Sequence, residues 1–257
     1  MKKNVIVLLS LIIILFIVNY GFLDSLLINF FGEGEVVIVE RVIDGDTVVV
    51  NDSSIRLLGI NSPEKGKEYY NEAKEFLEEA VLNKNAVLKF GKEKYDKYNR
   101  TLAYVFVGNK NLNLELVKNG FANFYFPSGK DIYYNDFKKA WEECEINLCE
   151  MSEEECADCI KLKEFDYENE IVVFYNKCDF DCELTEWEIK DEGRKSFVFP
   201  KFVLGKEESV KVIVLEEEKA NSESEIFWIR KDYVWTDSGD TLFLRDGEGK
   251  LVLWRAY

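Results

Sequence analysis

The chain opens on an almost unbroken apolar run, residues 5–18, extended weakly through 19–23 and preceded by Lys2 and Lys3. About 19 helical residues at ~1.5 Å each approach the thickness of a bilayer core. No small-x-small cleavage pattern follows. Residues 1–23 therefore read as a transmembrane helix, an uncleaved single-pass anchor, with the lysines inside and the remaining chain outside. A signal peptide, cleaved to release a secreted protein, is the rival reading. Residues 24–35 form a linker. Beyond them the pattern turns from continuous to alternating. β-Branched runs at 36–43, 47–51 and 55–60, separated by turn residues, predict strands. From 69 to 82, Tyr69, Ala73, Phe76, Leu77 and Ala80 keep helical spacing. Strands return at 86–90 and 101–107. Helices follow at 112–119, with Gly120 as C-cap, and at 133–146. Five strands with interposed helices predict a small α+β barrel over 36–148.

The second half reads differently. Short apolar or alternating runs at 171–176, 183–190, 196–199, 209–215, 225–228, 241–244 and 251–257 predict about seven strands. Such spacing, with turn residues between, suggests an all-β sandwich over 161–257. Residues 149–160 make an acidic, cysteine-rich linker between the two. Trp187 reads as core, and the run Glu216-Glu217-Glu218 as a solvated loop.

Composition changes the picture in two places. The net charge is −16, which is unusual for a protein that binds nucleic acid. Most of it lies outside the barrel: residues 35–148 carry 16 basic and 19 acidic side chains, residues 149–257 carry 15 and 28. The chain also has no histidine. Histidine-based nucleases, Ser-His hydrolases and His-ligated zinc are thereby excluded, so hydrolytic chemistry must rest on carboxylates, arginine and metal.

Three stretches offer that chemistry: Ile43-Asp44-Gly45-Asp46-Thr47-Val48, Arg56-Leu57-Leu58-Gly59-Ile60-Asn61-Ser62-Pro63-Glu64, and Asp96-Lys97-Tyr98-Asn99-Arg100. Cutting a phosphodiester needs charge neutralised on the phosphoryl oxygens, a base for water, and donors for the charge that develops. Asp46, Asn61 and Glu64 suit metal and base. Arg56 and Arg100 are always charged, and their planar forks fit phosphate. A second Gly239-Asp240-Thr241 lacks such companions and reads as a hairpin turn. Tyr125 and Phe126 read as core rather than as base-stacking platforms.

Taken together, in this order and at these spacings, the motifs of residues 36–148 resemble the staphylococcal (thermo)nuclease family. The resemblance implies an OB-type barrel and calcium-dependent cleavage of DNA, RNA or both. It implies that Asp46 is a metal ligand, that Ser62 offers its carbonyl to calcium, and that Glu64 orients or deprotonates the attacking water. Arg56 and Arg100 would bind the scissile phosphate, while Lys97 and Tyr98 would lie near a terminal phosphate and a base. Asp44 would support the metal site from behind. Asn61 departs from the pattern, since well-known members carry a second metal aspartate there. The single calcium site would lose a full charge and bind weakly.

The phrases Val173-Phe174-Tyr175-Asn176, Leu184-Thr185-Glu186-Trp187-Glu188-Ile189-Lys190-Asp191 and Gly239-Asp240-Thr241-Leu242-Phe243-Leu244 resemble a lamin-tail domain, an immunoglobulin-like sandwich. That resemblance names no activity and leaves the sandwich's partner unknown. The six cysteines, Cys144, Cys149, Cys156, Cys159, Cys178 and Cys182, span the junction. Their even number in an extracytoplasmic setting suggests disulfides that tie barrel to sandwich. Cys156-x-x-Cys159 with Cys178 and Cys182 also fits a four-cysteine zinc site. Two functions follow: a membrane-anchored, extracytoplasmic calcium nuclease, or a noncatalytic surface scaffold on a nuclease-like barrel.

Overall fold

The computed structural model describes residues 34–257. The proposed anchor lies outside them. Among the described residues no helix is long and apolar enough to cross a membrane.

The first module is built on one bent strand. β1 (Glu35–Ile38) pairs with β6 (Asn85–Tyr95), and two residues later β2 (Arg41–Asp44) pairs with β3 (Thr47–Val50). Between these ends the order runs β6, β7 (Thr101–Val107), β4 (Ser53–Leu57), β3. The bent strand thus closes a five-stranded OB-type barrel, with β4 and β7 parallel and the short β8 (Lys110–Asn111) beside β7. A separate antiparallel pair, β5 (Ile60–Asn61) with β9 (Asn123–Phe124), sets Asn61 opposite Asn123.

Helix α1 (Tyr70–Val81) buries Ala73, Leu77 and Val81, four residues apart on one stripe. Helix α2 (Leu112–Lys118) starts where the Asn111 side chain accepts from the amides of Asn113 and Leu114, the usual role of an N-cap asparagine. Helix α3 (Tyr134–Glu142) buries Phe137, Ala140 and Trp141. It stops short of the predicted residue 146 for a local reason. Cys144 is bonded to Cys149, and Asn147 takes a left-handed φ of 54°. The chain doubles back so that Leu148 N–H donates to Gly120 O at 3.0 Å. A Cβ on Gly120 would sit 2.1 Å from the Ile146 carbonyl oxygen, so only glycine fits.

The second module is a sandwich of two four-stranded sheets. One runs β10 (Ile160–Asp166), β11 (Ile171–Asn176), β16 (Ser209–Leu215), β17 (Glu225–Ile229). The other runs β14 (Ser196–Val198), β13 (Glu188–Lys190), β18 (Thr241–Arg245), β19 (Leu251–Ala256). β12 (Cys182–Glu183) and β15 (Val203–Leu204) make a small extra ladder. Trp187, Phe174, Phe199, Ile189 and Leu244 fill the core between the sheets, so Trp187 is the core residue it was expected to be. β10 escaped sequence reading because Lys161, Lys163 and Glu164 face water and a bulge between Leu162 and Glu164 breaks its alternation.

The modules share a wall. Every residue of β18 is buried, because the strand has no solvent face. Leu242 and Leu244 point into the sandwich core, whereas Phe243 belongs to the barrel core. There its ring lies 5.2 Å from Trp141 and 6.4 Å from Phe124. Arg245 Nη2 reaches across to Leu148 O at 2.7 Å.

All six cysteines are paired, as Cys144–Cys149, Cys156–Cys182 and Cys159–Cys178. The four cysteines of the zinc alternative are thus two disulfides. The bonds do not tie barrel to sandwich, as sequence suggested. One closes the end of the first module, and two fasten helix α4 (Glu155–Cys159) to the segment that leads into β12. Packing of β18 holds the junction instead. Cys159–Cys178 closes a separation of 19 residues, which in the loop-entropy account is worth ~3 kcal/mol. The Cys159→Ser/Cys178→Ser protein should therefore unfold at distinctly lower urea, with a loss of about that size. An unchanged midpoint would show that the sandwich does not depend on the bond.

Candidate active site

Asp46 sits at the turn between β2 and β3, almost wholly buried. Gly45 lets that turn press inward: a Cβ there would lie 2.7 Å from the Ala73 Cβ and 2.8 Å from the Ser62 Cβ. The Asp46 carboxylate is held by three donors, Thr47 Oγ1 at 3.1 Å, Ser62 N at 2.8 Å and Arg56 Nη2 at 3.0 Å. Arg56 rises from β4, is buried itself, and also donates to Leu57 O at 2.8 Å. Its Nη2 lies 3.4 Å from Asn61 Oδ1. Asp44 accepts from Asp46 N at 3.2 Å. Burial first, then the Asp46 charge, push its pKa up. Asp46, Arg56, Asn61 and Ser62 thus form one buried network.

This network opens onto a cleft of about 640 Å³. Arg56 and Asn61 line its base, and the β6–β7 hairpin supplies Lys97, Tyr98 and Arg100. The hairpin tip is shaped by Asp96, whose Oδ1 accepts from the amides of Tyr98 and Arg100, each at 2.9 Å. Its Oδ2 takes Arg100 Nε at 2.7 Å. Burial alone would raise the Asp96 pKa, but these Arg100 and Tyr98 contacts hold it below the ordinary value. Arg100 lines the cleft together with Arg56. Phe126 is buried and Tyr125 half-buried along the same wall.

Glu64 stands apart from the network. Its side chain is 52% exposed and pairs at 2.7 Å with Arg194 of the sandwich. Arg194 belongs to the loop 191–195 between β13 and β14, which sequence reading did not connect with the site. That loop is fixed to the barrel by paired amides. Asn61 Nδ2 donates to Gly193 O and Asn123 Nδ2 to Glu192 O, both at 2.8 Å. Only the facing of β5 and β9 places these two asparagines side by side, and no local motif announces it.

The same seam carries three buried carboxylates. Glu192 accepts from Phe126 N at 2.8 Å and from Thr241 Oγ1 at 3.2 Å. Asp240 accepts from the amides of Glu192 and Thr241 at 3.2 and 2.7 Å. Asp240 is therefore not at the hairpin tip expected of the second Gly-Asp-Thr; it stands at the start of β18, facing the first module. Burial, and then the neighbouring acids, push the pKa of Glu192 up to about 8 and that of Asp240 to about 7. Burial raises Asp191 to about 6 against the opposing Lys195 amide and Lys190.

The donor set suits a hard cation of modest affinity. The Asp46 and Asn61 oxygens converge on a single cationic atom, Arg56 Nη2, and the Ser62 amide holds the second Asp46 contact beside them. Among the described residues no cluster of three acidic or cysteine side chains converges on a point. Calcium takes ~6–8 oxygen ligands, so any cation here draws most of them from water or substrate.

Residues 54–146 match the family model for staphylococcal nuclease homologues, and residues 155–257 match the Lamin Tail Domain. The chain is 35% identical over 130 residues to the thermonuclease of Staphylococcus intermedius, covering 46% of this chain and 77% of that protein. It is 38% identical over 104 residues to the thermonuclease of Staphylococcus hyicus, covering 36% and 62%. Endonuclease YncB of Bacillus subtilis is 34% identical over 116 residues, covering 40% and 54%.

The raised carboxylates make the seam pH-sensitive. Glu192 keeps its proton in the folded protein up to about pH 8, whereas an unfolded glutamate loses it near ~4.3. Between those values the folded state binds more protons, so stability falls as pH rises, by on the order of a few kcal/mol for this group. Thermal unfolding from pH 5 to 9 should show a declining midpoint. Glu192→Gln should flatten the decline up to about pH 8. Identical slopes in both proteins would remove Glu192 from the account.

Proposed function

This chain belongs to the staphylococcal nuclease family, and from that membership we propose that it is a calcium-dependent hydrolase of phosphodiester bonds in DNA, RNA or both. The observation that carries the reading is the buried Asp46–Arg56–Asn61 network at the base of a cleft that Arg100 also lines. Asp46, the Asn61 amide oxygen and the Ser62 carbonyl would hold the calcium ion, which when bound would supply positive charge at the phosphoryl oxygens. Arg56 and Arg100 bind the scissile phosphate and oppose the charge that grows at phosphorus. Glu64 takes the proton of the attacking water, once Arg194 has left it. Lys97 and Tyr98 receive the neighbouring phosphate and base.

We place the enzyme outside the cell, at the membrane. The apolar run of residues 5–18 supports an anchor, and three disulfides suit an oxidising compartment. Protease added to intact cells should then release the part beyond residue 35; digestion only after lysis would reverse the orientation.

Two sets of variants test the chemistry. Arg56→Ala would strand the buried Asp46 charge at a cost of ~3–5 kcal/mol, so a loss of activity there confounds folding with catalysis. Arg100→Ala and Glu64→Gln avoid this and should each lower kcat by about 10²–10³, with smaller effects on binding. Cleavage of an oligonucleotide across a calcium titration reads both. Activity that persists in chelator, or in these two proteins, would overturn the mechanism; none at saturating calcium would favour the noncatalytic scaffold.

Asn61→Asp has a mixed outcome. It adds charge to the metal site and should lower the calcium needed for half-maximal activity. It also removes the donor to Gly193 O, setting a carboxylate against a buried carbonyl at ~1–3 kcal/mol. The calcium-free variant should unfold at lower urea than the parent. Unchanged stability would mean that the contact contributes nothing.

A further inference from the structure

The cleft has two walls from two domains. The barrel contributes the β6–β7 hairpin, and the sandwich contributes the 191–195 loop and Tyr233. Each wall carries an exposed tyrosine with a lysine over its ring. On the barrel side Tyr98 is 68% exposed and Lys97 Nζ lies 5.1 Å from its centroid. On the sandwich side Tyr233 is 63% exposed and Lys195 Nζ lies 4.3 Å from its centroid. Exposed aromatic faces in a cationic groove are how proteins hold single strands, because every unpaired base has a face to stack.

The sandwich wall is held in place rather than loose. Lys195 N donates to Asp191 Oδ1 at 2.8 Å and Lys195 Nζ to Tyr233 O at 2.5 Å. Asn61 and Asn123 fix the loop backbone to the barrel. Arg194, by contrast, extends from the loop into solvent. Its pair with Glu64 is 65% and 52% exposed on the two sides, and exposed pairs of this kind are weak. A phosphate offers the guanidinium two oxygens in bidentate geometry and competes well against one carboxylate. Exchange of Glu64 for phosphate would bind the strand and leave Glu64 available to water in one event.

Size favours one strand over two. A volume of about 640 Å³ lies within the range for a single small ligand, ~300–1,000 Å³, which suits a nucleotide or two threaded between the walls. A duplex would have its bases stacked away from both tyrosines.

We propose that Arg194 and Tyr233, carried by the lamin-tail domain, are substrate-binding residues of the nuclease cleft, so that the second domain supplies one wall of the substrate site. This rests on the nuclease reading above, but it is tested separately from it. The probe is an unstructured fluorescent oligonucleotide, alone or annealed to its complement, with the full chain at fixed salt. Anisotropy in chelator reads binding without turnover, and cleavage in calcium reads KM and kcat. Arg194→Ala and Tyr233→Ala should each weaken single-strand binding and raise KM about five- to tenfold, with kcat within about twofold. Arg194→Lys should recover part of the loss.

Unchanged binding and KM in both variants, with parent activity intact, would overturn the proposal and leave the nuclease reading standing. So would a rise in kcat in Arg194→Ala, which would make Arg194 a brake on Glu64. Single-strand binding that depends on both residues, in a parent that cuts nothing, would uphold the proposal and sink the nuclease reading.

Discussion

Two side-chain amides and two consecutive carbonyls hold this molecule in register. Asn61 and Asn123 face each other across the β5–β9 ladder and donate to Gly193 O and Glu192 O. Buried carbonyls need partners, and leaving one unmet costs ~1–3 kcal/mol. The contact therefore excludes alternative dockings more than it adds affinity. The apolar contribution comes from β18, whose Phe243 completes the barrel core. Packing brings the modules together, and the amides decide which sandwich loop meets which barrel edge. Because that edge includes Asn61, the loop arrives at the base of the cleft.

The barrel was largely legible in the sequence because its strands are short, β-branched and separated by turn residues, while α1 keeps a clean four-residue stripe. The chain's three motifs led to Asp46, Arg56, Asn61 and Ser62, which do meet, and to Arg100 across the cleft. Failures came where a local break interrupts the pattern, or where a second domain decides. The helix predicted to 146 is cut short by a disulfide and a left-handed Asn147. β10 presents its charged side chains to water and looks like loop. The run predicted as one strand over 183–190 breaks where Glu186 takes a φ of 67° and Trp187 N–H turns back to Leu184 O. Arg194, Tyr233 and Glu192 carry no motif, because their roles depend on a second domain reaching the first.

Overall charge was also a poor guide to the cleft. The excess of acid is spread over the sandwich surface and partly hidden. Glu192, Asp240 and Asp191 sit at the seam with raised pKa values, so near neutral pH they carry less charge than a formal count assigns. Meanwhile Arg56, Arg100, Lys97, Arg194 and Lys195 line one cleft, whose seven basic side chains face six acidic ones, the three raised carboxylates among them. Local potential, not net charge, governs a phosphate at close range, since exposed charges beyond ~8–10 Å are screened at ordinary salt.

Asn61 shows how the two modules constrain each other. In a barrel standing alone, an aspartate there would strengthen the cation site at little structural cost. Here the same side chain must offer a donor to Gly193 and an acceptor toward Arg56, and only an amide does both. Its oxygen meets Arg56 and, on the reading proposed above, would remain a ligand for the metal, while its nitrogen holds the loop that carries Arg194. A weaker metal site would then be the structural counterpart of a second cleft wall. A strand that fills the cleft would contribute phosphate oxygens of its own, completing a coordination that the chain's side chains leave partial.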